Sequence, residues 1–406
     1  MKKYPSERPT AERGGPTRPV SPARPARHLA IAMAPSGPPR AAVAAGGDRP
    51  PAGAGRSPRR SPARWFAHGR HNVSYLCVDR HVEAGHGERV AIHFEGAPGD
   101  SRAITYSQLK DEVCRAANAL RELGVGTGDR VVIHLPALAE TVIAMLACAR
   151  IGAVHLLIRT AAGAHPDELA GARLVITADG SHHDGGAGPF GASVADVLAA
   201  CTRAEHVLVV RRTGRPLAPS DERALWWHEV IARQPGRLAP EPYDARHPLF
   251  TLAPGGPRGS GEFLTRAGCL HRAVFDLRPQ SDVYWCTADL ASESGHSFVG
   301  YGPLANGATQ VIYEGAPDTP PQDRFWQVIK KHRVSVLHTA SDAIRSYLRW
   351  SEEAAGGFDR SGLRVLAAIE ERPGPQMWIW RREHVGPTAG WELRAYPTGW
   401  PASALG

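Results

Sequence analysis

Paired cysteines are missing from this chain. Its six, Cys77, Cys114, Cys148, Cys201, Cys269 and Cys286, all stand more than three residues apart. That spacing excludes a CxxC redox pair and a zinc site built on paired thiols, so the six read as scattered core thiols in a reducing cytoplasm. No run of 18 apolar residues occurs, and no membrane-spanning helix is expected. No Gly-Lys-Ser/Thr follows the glycines of Ala253–Phe263, so the stretch is not a Walker loop. Ser260 is not a G-x-S-x-G nucleophile, because Arg258 holds the first glycine position. His182-His183-Asp184 is too compact to converge on one ion and reads as an exposed loop. No metal ligand and no catalytic residue is assigned.

Aromatic residues are absent between Tyr4 and Trp65. The first 64 residues hold 13 of the 48 Lys and Arg but only 3 of the 40 Asp and Glu. They are rich in Pro, Arg, Ala and Gly without apolar periodicity, the composition of a disordered basic tail. A nucleic-acid tail, an Arg-rich transit peptide, a tether for an acidic partner and a solvated extension ahead of a later start such as Met33 are its open readings. Residues 65–406 balance 35 basic against 37 acidic side chains, which gives no global nucleic-acid signal.

From Trp65 the pattern alternates between strand and helix. Thr105 and Gln108 form a capping box ahead of Leu109, Val113, Ala116, Ala117, Leu120 and Leu123, one helical face that Gly124 ends. Arg130–Leu135, Val154–Ile158, Leu174–Ala178, Val207–Arg211 and Leu249–Leu252 read as strands. Glu140–Ile151 reads as an apolar helix stopped by Gly152, with further helices near Ser193–Ala200 and Trp226–Arg233. Residues 159–173 and 180–192 read as loops. Val283–Thr287, His296–Leu304 and Thr309–Tyr313 form a βαβ unit whose helix stops at Asn306-Gly307. Helices at Asp323–His332, Asp342–Ser351 and Gln376–His384 and strands at Val334–Thr339 and Leu363–Ile369 complete the pattern. Such alternation predicts an α/β fold with parallel sheets covered by helices, and ligands at the carboxyl ends of the strands.

Three stretches carry a family resemblance: NVSYLCVDRHVEAG at Asn72–Gly85, GDRVVIHLPALAETVIAMLACARIGAVH at Gly128–His155, and VYWCTAD with GHSFVGYGPLANGAT within Val283–Thr309. They closely resemble the AMP-forming acetyl-CoA synthetases (acetate–CoA ligases) of the adenylate-forming superfamily. The resemblance covers residues 65–400, with 1–64 and 401–406 as tails. It implies an N-terminal domain of two α/β sheets and a distorted β-barrel, with the family's small C-terminal domain absent. The implied activity is ATP-dependent conversion of acetate to acetyl-adenylate, then transfer to coenzyme A. ATP/AMP, coenzyme A and Mg²⁺ are the implied cofactors. Small molecules are the implied partners, with no nucleic acid and no membrane.

The resemblance also places the site residues. The family's hydroxyl-rich loop ending in Pro-Lys-Gly aligns with Ala253–Phe263, leaving Gly255, Gly256 and Gly259 for the nucleotide and either Glu262 or a deletion at the lysine position. The stretch is expected to be an ordinary Gly/Pro loop. Glu371 matches the glutamate of the adenine motif, and Thr398 matches the α-phosphate threonine. Gly399 stands where a metal-binding carboxylate is called for. Ser292, Ser294, Gly295 and Tyr396 match the acyl pocket, with Glu293 at an apolar position. His296 is expected to pack within the fold. The changes gather in Gly/Pro/Arg/Ala-rich patches, as local frame changes would leave them. The expected function is an acetyl-CoA synthetase-like protein with impaired activity. Its alternatives are a non-catalytic nucleotide- or acyl-binding regulator and a ligase working with a separate C-terminal domain.

Overall fold

A computed structural model describes residues 69–159, 169–183, 186–188, 190, 194–215, 223–252, 255–315, 324–340, 362–369 and 392–396. The basic tail, Glu371, Thr398 and the helices expected at Asp342–Ser351 and Gln376–His384 lie outside these residues. Two seven-stranded sheets dominate the rest. The first runs, in spatial order, Ala224–Trp226, His206–Val210, Ala172–Ala178, Arg130–His134, Val154–Leu157, Pro248–Leu252 and Gly256–Gly259. The second runs Glu392–Tyr396, Val365–Ile369, Val336–Ala340, Val283–Cys286, Thr309–Tyr313, Val90–Glu95 and Ser101–Thr105. All neighbours are parallel except the last pair of each sheet. Helices cover the faces, so the inner strands are buried on both sides and read as β-branched apolar runs.

The helix signals act as expected. Thr105 Oγ1 accepts from the Gln108 N–H at 3.2 Å, and Gln108 Oε1 accepts from the Thr105 N–H at 2.9 Å, which opens the Tyr106–Glu122 helix. In the Ala139–Ile151 helix every residue but Glu140 is buried. It ends at Gly152, whose φ of 71° is the left-handed cap that glycine takes without strain. Beyond it, the βαβ unit is built from Val283–Cys286, a helical segment over Glu293–Ala305 that widens to a π-helical turn at His296–Tyr301, and Thr309–Tyr313.

Two expectations are corrected. Residues 255–263 of the stretch expected as an ordinary loop are not one: Gly256–Gly259 pairs antiparallel with Pro248–Leu252, and Ser260 starts a helix running to Phe275. Gly255 and Gly256 reverse the chain with φ of 146° and 74°. Phe263, Leu264, Ala267, Leu270, His271 and Phe275 then bury one helical face. Within residues 180–192, Ser181–His183 and Gly186–Gly188 form a short antiparallel ladder. The strand pair Val90–Glu95 and Ser101–Thr105 is also additional to the sequence reading.

The polar anchor of the core is a buried ion pair. Asp79 accepts from Arg150 Nη1 at 2.8 Å and Nη2 at 3.0 Å, and both residues are 2% exposed. Arg150 Nε also donates to the Leu238 carbonyl at 2.9 Å. Removing one partner strands a buried charge. Asp79→Ala is expected to lower unfolding free energy by about 3–5 kcal/mol, read from urea denaturation. A second test concerns Gly295, where a Cβ would overlap the Asp289 carbonyl, while Gly186 has open space. Gly295→Ala should cost about 1–3 kcal/mol, and Gly186→Ala should stay within about 0.5 kcal/mol.

Candidate functional site

Parallel strands of both sheets end on one cleft. The residues that follow them enclose a cavity of about 460 Å³, with Leu135, Leu157, Trp285, Val299, Ile312 and Tyr313 on its wall. This is the edge where parallel sheets leave backbone and loops free to meet a ligand. The charged groups on the wall are engaged. Arg159 pairs with Asp289 at 3.2 Å. Glu314 accepts from Arg212 Nε at 2.9 Å and Nη2 at 2.5 Å, and from the backbone N–H groups of His182 and Ala97 at 3.2 and 3.3 Å. Arg212 also donates to both oxygens of Asp100, at 2.8 and 2.9 Å. Burial opposes the Arg212 charge, but Glu314 and Asp100 outweigh it and hold its pKa above the ordinary value. The wall therefore presents a largely apolar surface on which Arg212 and Glu314 are tied together, while the exposed Arg159–Asp289 pair holds weakly.

A second cluster lies where the Gly255–Gly259 hairpin meets the start of the Glu293–Ala305 segment. Arg258 Nη1 donates to the Gly255 carbonyl at 2.8 Å, and its Nη2 faces Glu293 Oε2 at 3.5 Å. Arg266, one helical stretch later, faces Glu293 Oε1 at 3.3 Å. Ser292 caps the segment: its Oγ accepts from the Gly295 N–H at 2.9 Å and donates to the Asp289 carbonyl at 2.7 Å. Gly295 is buried against Asp289, and Ser294 is half-buried in the same turn. Glu262 is exposed in the first turn of the helix that follows the hairpin.

Under this junction sits a stack of rings. His296 lies 4.1 Å from Phe250 and 5.4 Å from His155, nearly parallel to the latter at 9°. His296 Nδ1 bonds the Ser292 carbonyl at 2.8 Å, and His155 Nε2 meets the Tyr301 hydroxyl at 3.3 Å. Both histidines are fully buried, and His296 Nε2 and His155 Nδ1 have no hydrogen-bond partner among the described residues. Burial pushes the His296 pKa down to about 4 and that of His155 well below its ordinary value. The packing role expected of His296 is thus met.

The fold brings together two of the residue groups chosen from sequence. Gly255, Gly256 and Gly259 form the hairpin, and Ser292, Ser294 and Gly295 form the turn beside it. Tyr396 ends an edge strand at the same carboxyl side of the second sheet, in register with Ile369. Arg159, Arg212, Glu293 as an ion-pair partner and Glu314 are additional. Arg212 and Glu314 are 102 residues apart, and no local pattern joins them. Among the described residues no group of three or more His, Cys, Asp or Glu is placed to hold a metal ion. No helix among them is long and apolar enough to cross a membrane.

Residues 78–251 and 261–393 match the family model described as AMP-binding enzyme. The chain is similar to acetyl-coenzyme A synthetase of Streptomyces avermitilis, 53% identical over 338 residues that make up 80% of this chain and 52% of the relative. The Streptomyces coelicolor protein of the same name is 52% identical over 341 residues, with the same two shares. That of Deinococcus radiodurans is 44% identical over 339 residues, again 80% and 52%. The chain spans about half the length of the curated relatives it matches.

The ring stack generates a pH prediction. His296 takes up a proton more readily in the unfolded chain, near pH 6.5, than in the native one, near 4. The native state then binds fewer protons, so stability is full above pH 6.5 and falls as pH drops toward 4. Between pH 7.5 and 5 the loss attributable to His296 should be about 2 kcal/mol. Urea midpoints at the two pH values check it, and His296→Phe, which keeps a ring against Phe250, should flatten the dependence.

Proposed function

The chain belongs to the AMP-binding enzyme family, and on that footing we propose that it is an acetyl-CoA synthetase-like protein whose ATP-dependent step is impaired at the Gly255–Gly259 hairpin. The observation that carries this reading is the break in the family match between residues 251 and 261, which falls on that hairpin. The family's reaction makes an acyl-adenylate from ATP and a carboxylate and passes the acyl group to coenzyme A. Its first step needs positive charge and hydrogen-bond donors around a Mg²⁺–triphosphate.

The hairpin residues do not fit that group. Arg258 is engaged by Glu293, and the exposed Glu262 adds negative charge nearby. The N–H groups of the hairpin strand lie along a ladder with Pro248–Leu252 rather than in a hydroxyl-bearing loop. Thr398 and Glu371 are proposed as remaining nucleotide contacts and Tyr396 as a wall of the acyl pocket. Ser292, Ser294 and Gly295 are proposed for the acyl end; the resemblance puts Ser292 at the family's pocket-tryptophan position and Ser294 at its threonine position, and these smaller side chains would leave room for a carboxylic acid larger than acetate. The cleft cavity favours a second reading, a protein that binds a small molecule without turning it over, because its wall is apolar and its charges are paired.

Acetate-dependent ATP–pyrophosphate exchange on the purified chain separates the readings. We expect a rate on the order of 10²–10³ below that of the Streptomyces avermitilis relative, the loss typical when donors to developing charge are removed. A rate equal to the relative's overturns the impairment. Saturable binding of AMP by calorimetry without exchange favours the binding protein.

A further inference from the structure

Resting on the reading of the hairpin as the triphosphate-facing element, we propose that Glu293 is an internal anion. Its carboxylate holds the place between Arg258 and Arg266 that a phosphate group of a ligand would take, and so sets the hairpin's affinity for polyphosphates. Each carboxylate oxygen faces a different guanidinium: Oε2 lies 3.5 Å from Arg258 Nη2, and Oε1 lies 3.3 Å from Arg266 Nη2. The two cations come from different elements, the hairpin strand and the Ser260–Phe275 helix. One guanidinium nitrogen on each side of a single anion is an arrangement that accepts phosphate as well as carboxylate.

Arg258 is also placed independently of Glu293, because its Nη1 donates to the Gly255 carbonyl at 2.8 Å. With Glu293 neutralised, that guanidinium stays at the glycine turn with its second nitrogen free. Two arginines against one glutamate leave this trio one positive charge in excess. All three side chains reach solvent, with exposures of 35% for Arg258 and Glu293 and 42% for Arg266. Half-exposed pairs of this kind hold weakly and are screened by salt. A ligand carrying several negative charges therefore displaces the carboxylate at high concentration, and Glu293 acts as a competitor tethered to the site.

The test is calorimetric titration of the full chain with inorganic pyrophosphate at low ionic strength. Glu293→Gln keeps the shape and removes the charge, and should tighten binding about fivefold, the equivalent of one exposed ion pair. Arg258→Gln added to Glu293→Gln should abolish the gain, and raised salt should shrink it. Unchanged or weaker binding by Glu293→Gln overturns the proposal, as does a gain that survives Arg258→Gln. Thermal unfolding of each variant confirms that a folded protein was titrated, and Glu293→Asp, which keeps the charge, must stay near the original affinity. The exchange assay reads the activity separately. Full exchange by the unmodified chain with a tightened Glu293→Gln would overturn the impairment and leave the internal anion standing.

Discussion

The Ala139–Ile151 helix has no wet face, and the arrangement of the rest follows from that. An amphipathic helix is satisfied by one sheet; a helix buried all round needs a second layer. The Glu293–Ala305 segment supplies it. Gly300 faces the Met145 side chain, and the Tyr301 hydroxyl donates to the Met145 carbonyl at 3.4 Å. Either sheet folded alone would leave this apolar surface in water, so the two sheets depend on each other. Their shared core brings the carboxyl ends of both sets of parallel strands to one cleft.

A core of this kind tolerates buried charges best where they find partners, and three such pairings lie at the crossings between elements. Arg150 ties the buried helix to Asp79 and to the Leu238 carbonyl. Glu95, with its side chain fully buried at the end of a strand, takes Lys331 at 2.7 Å and His332 at 2.8 Å from the helix packed across it. Glu314 takes Arg212 from the other sheet. Such pairs add little net stability over apolar packing, but a misplaced element leaves a charge buried and unpaired, so they penalise wrong arrangements. Among the described residues some buried polar atoms have no hydrogen-bond partner, Arg80 Nε, Asp179 Oδ2, Gln310 Nε2 and one ring nitrogen each of His155 and His296 among them. An uncharged imidazole in an aromatic stack is the form that burial permits the two histidines.

Much of the fold was legible in the sequence because its signals are local. The Thr105–Gln108 capping box, the Gly152 stop, the Asn306-Gly307 stop and the β-branched runs each act within a few residues. What stayed hidden depends on distance or on conflicting signals. Val90–Glu95 joins Thr309–Tyr313 with Ile92 opposite Gln310, more than 200 residues away. The Ser260–Phe275 helix follows a glycine cluster whose local preference is a loop, and its apolar face outweighs that preference only after packing. The candidate site was legible as two patches of altered residues. Their contact was not, because a capping Ser292 and a paired Glu293 are properties of a turn in space.

That contact changes how the altered patches are to be understood. Arg258 and Glu293 are 35 residues apart, in the two stretches that the resemblance reads as departing from the family pattern. Arg258 and Glu293 offset one another at a half-buried junction beside a neutral ring stack, and Arg266 leaves the trio one positive charge in excess. On the proposed reading the cost would fall on chemistry instead of folding, because an arginine that balances a glutamate is a poorer partner for an incoming phosphate. Local charge balance would then keep the scaffold while anion binding at the hairpin weakens, and the matching blocks 78–251 and 261–393 flank that hairpin.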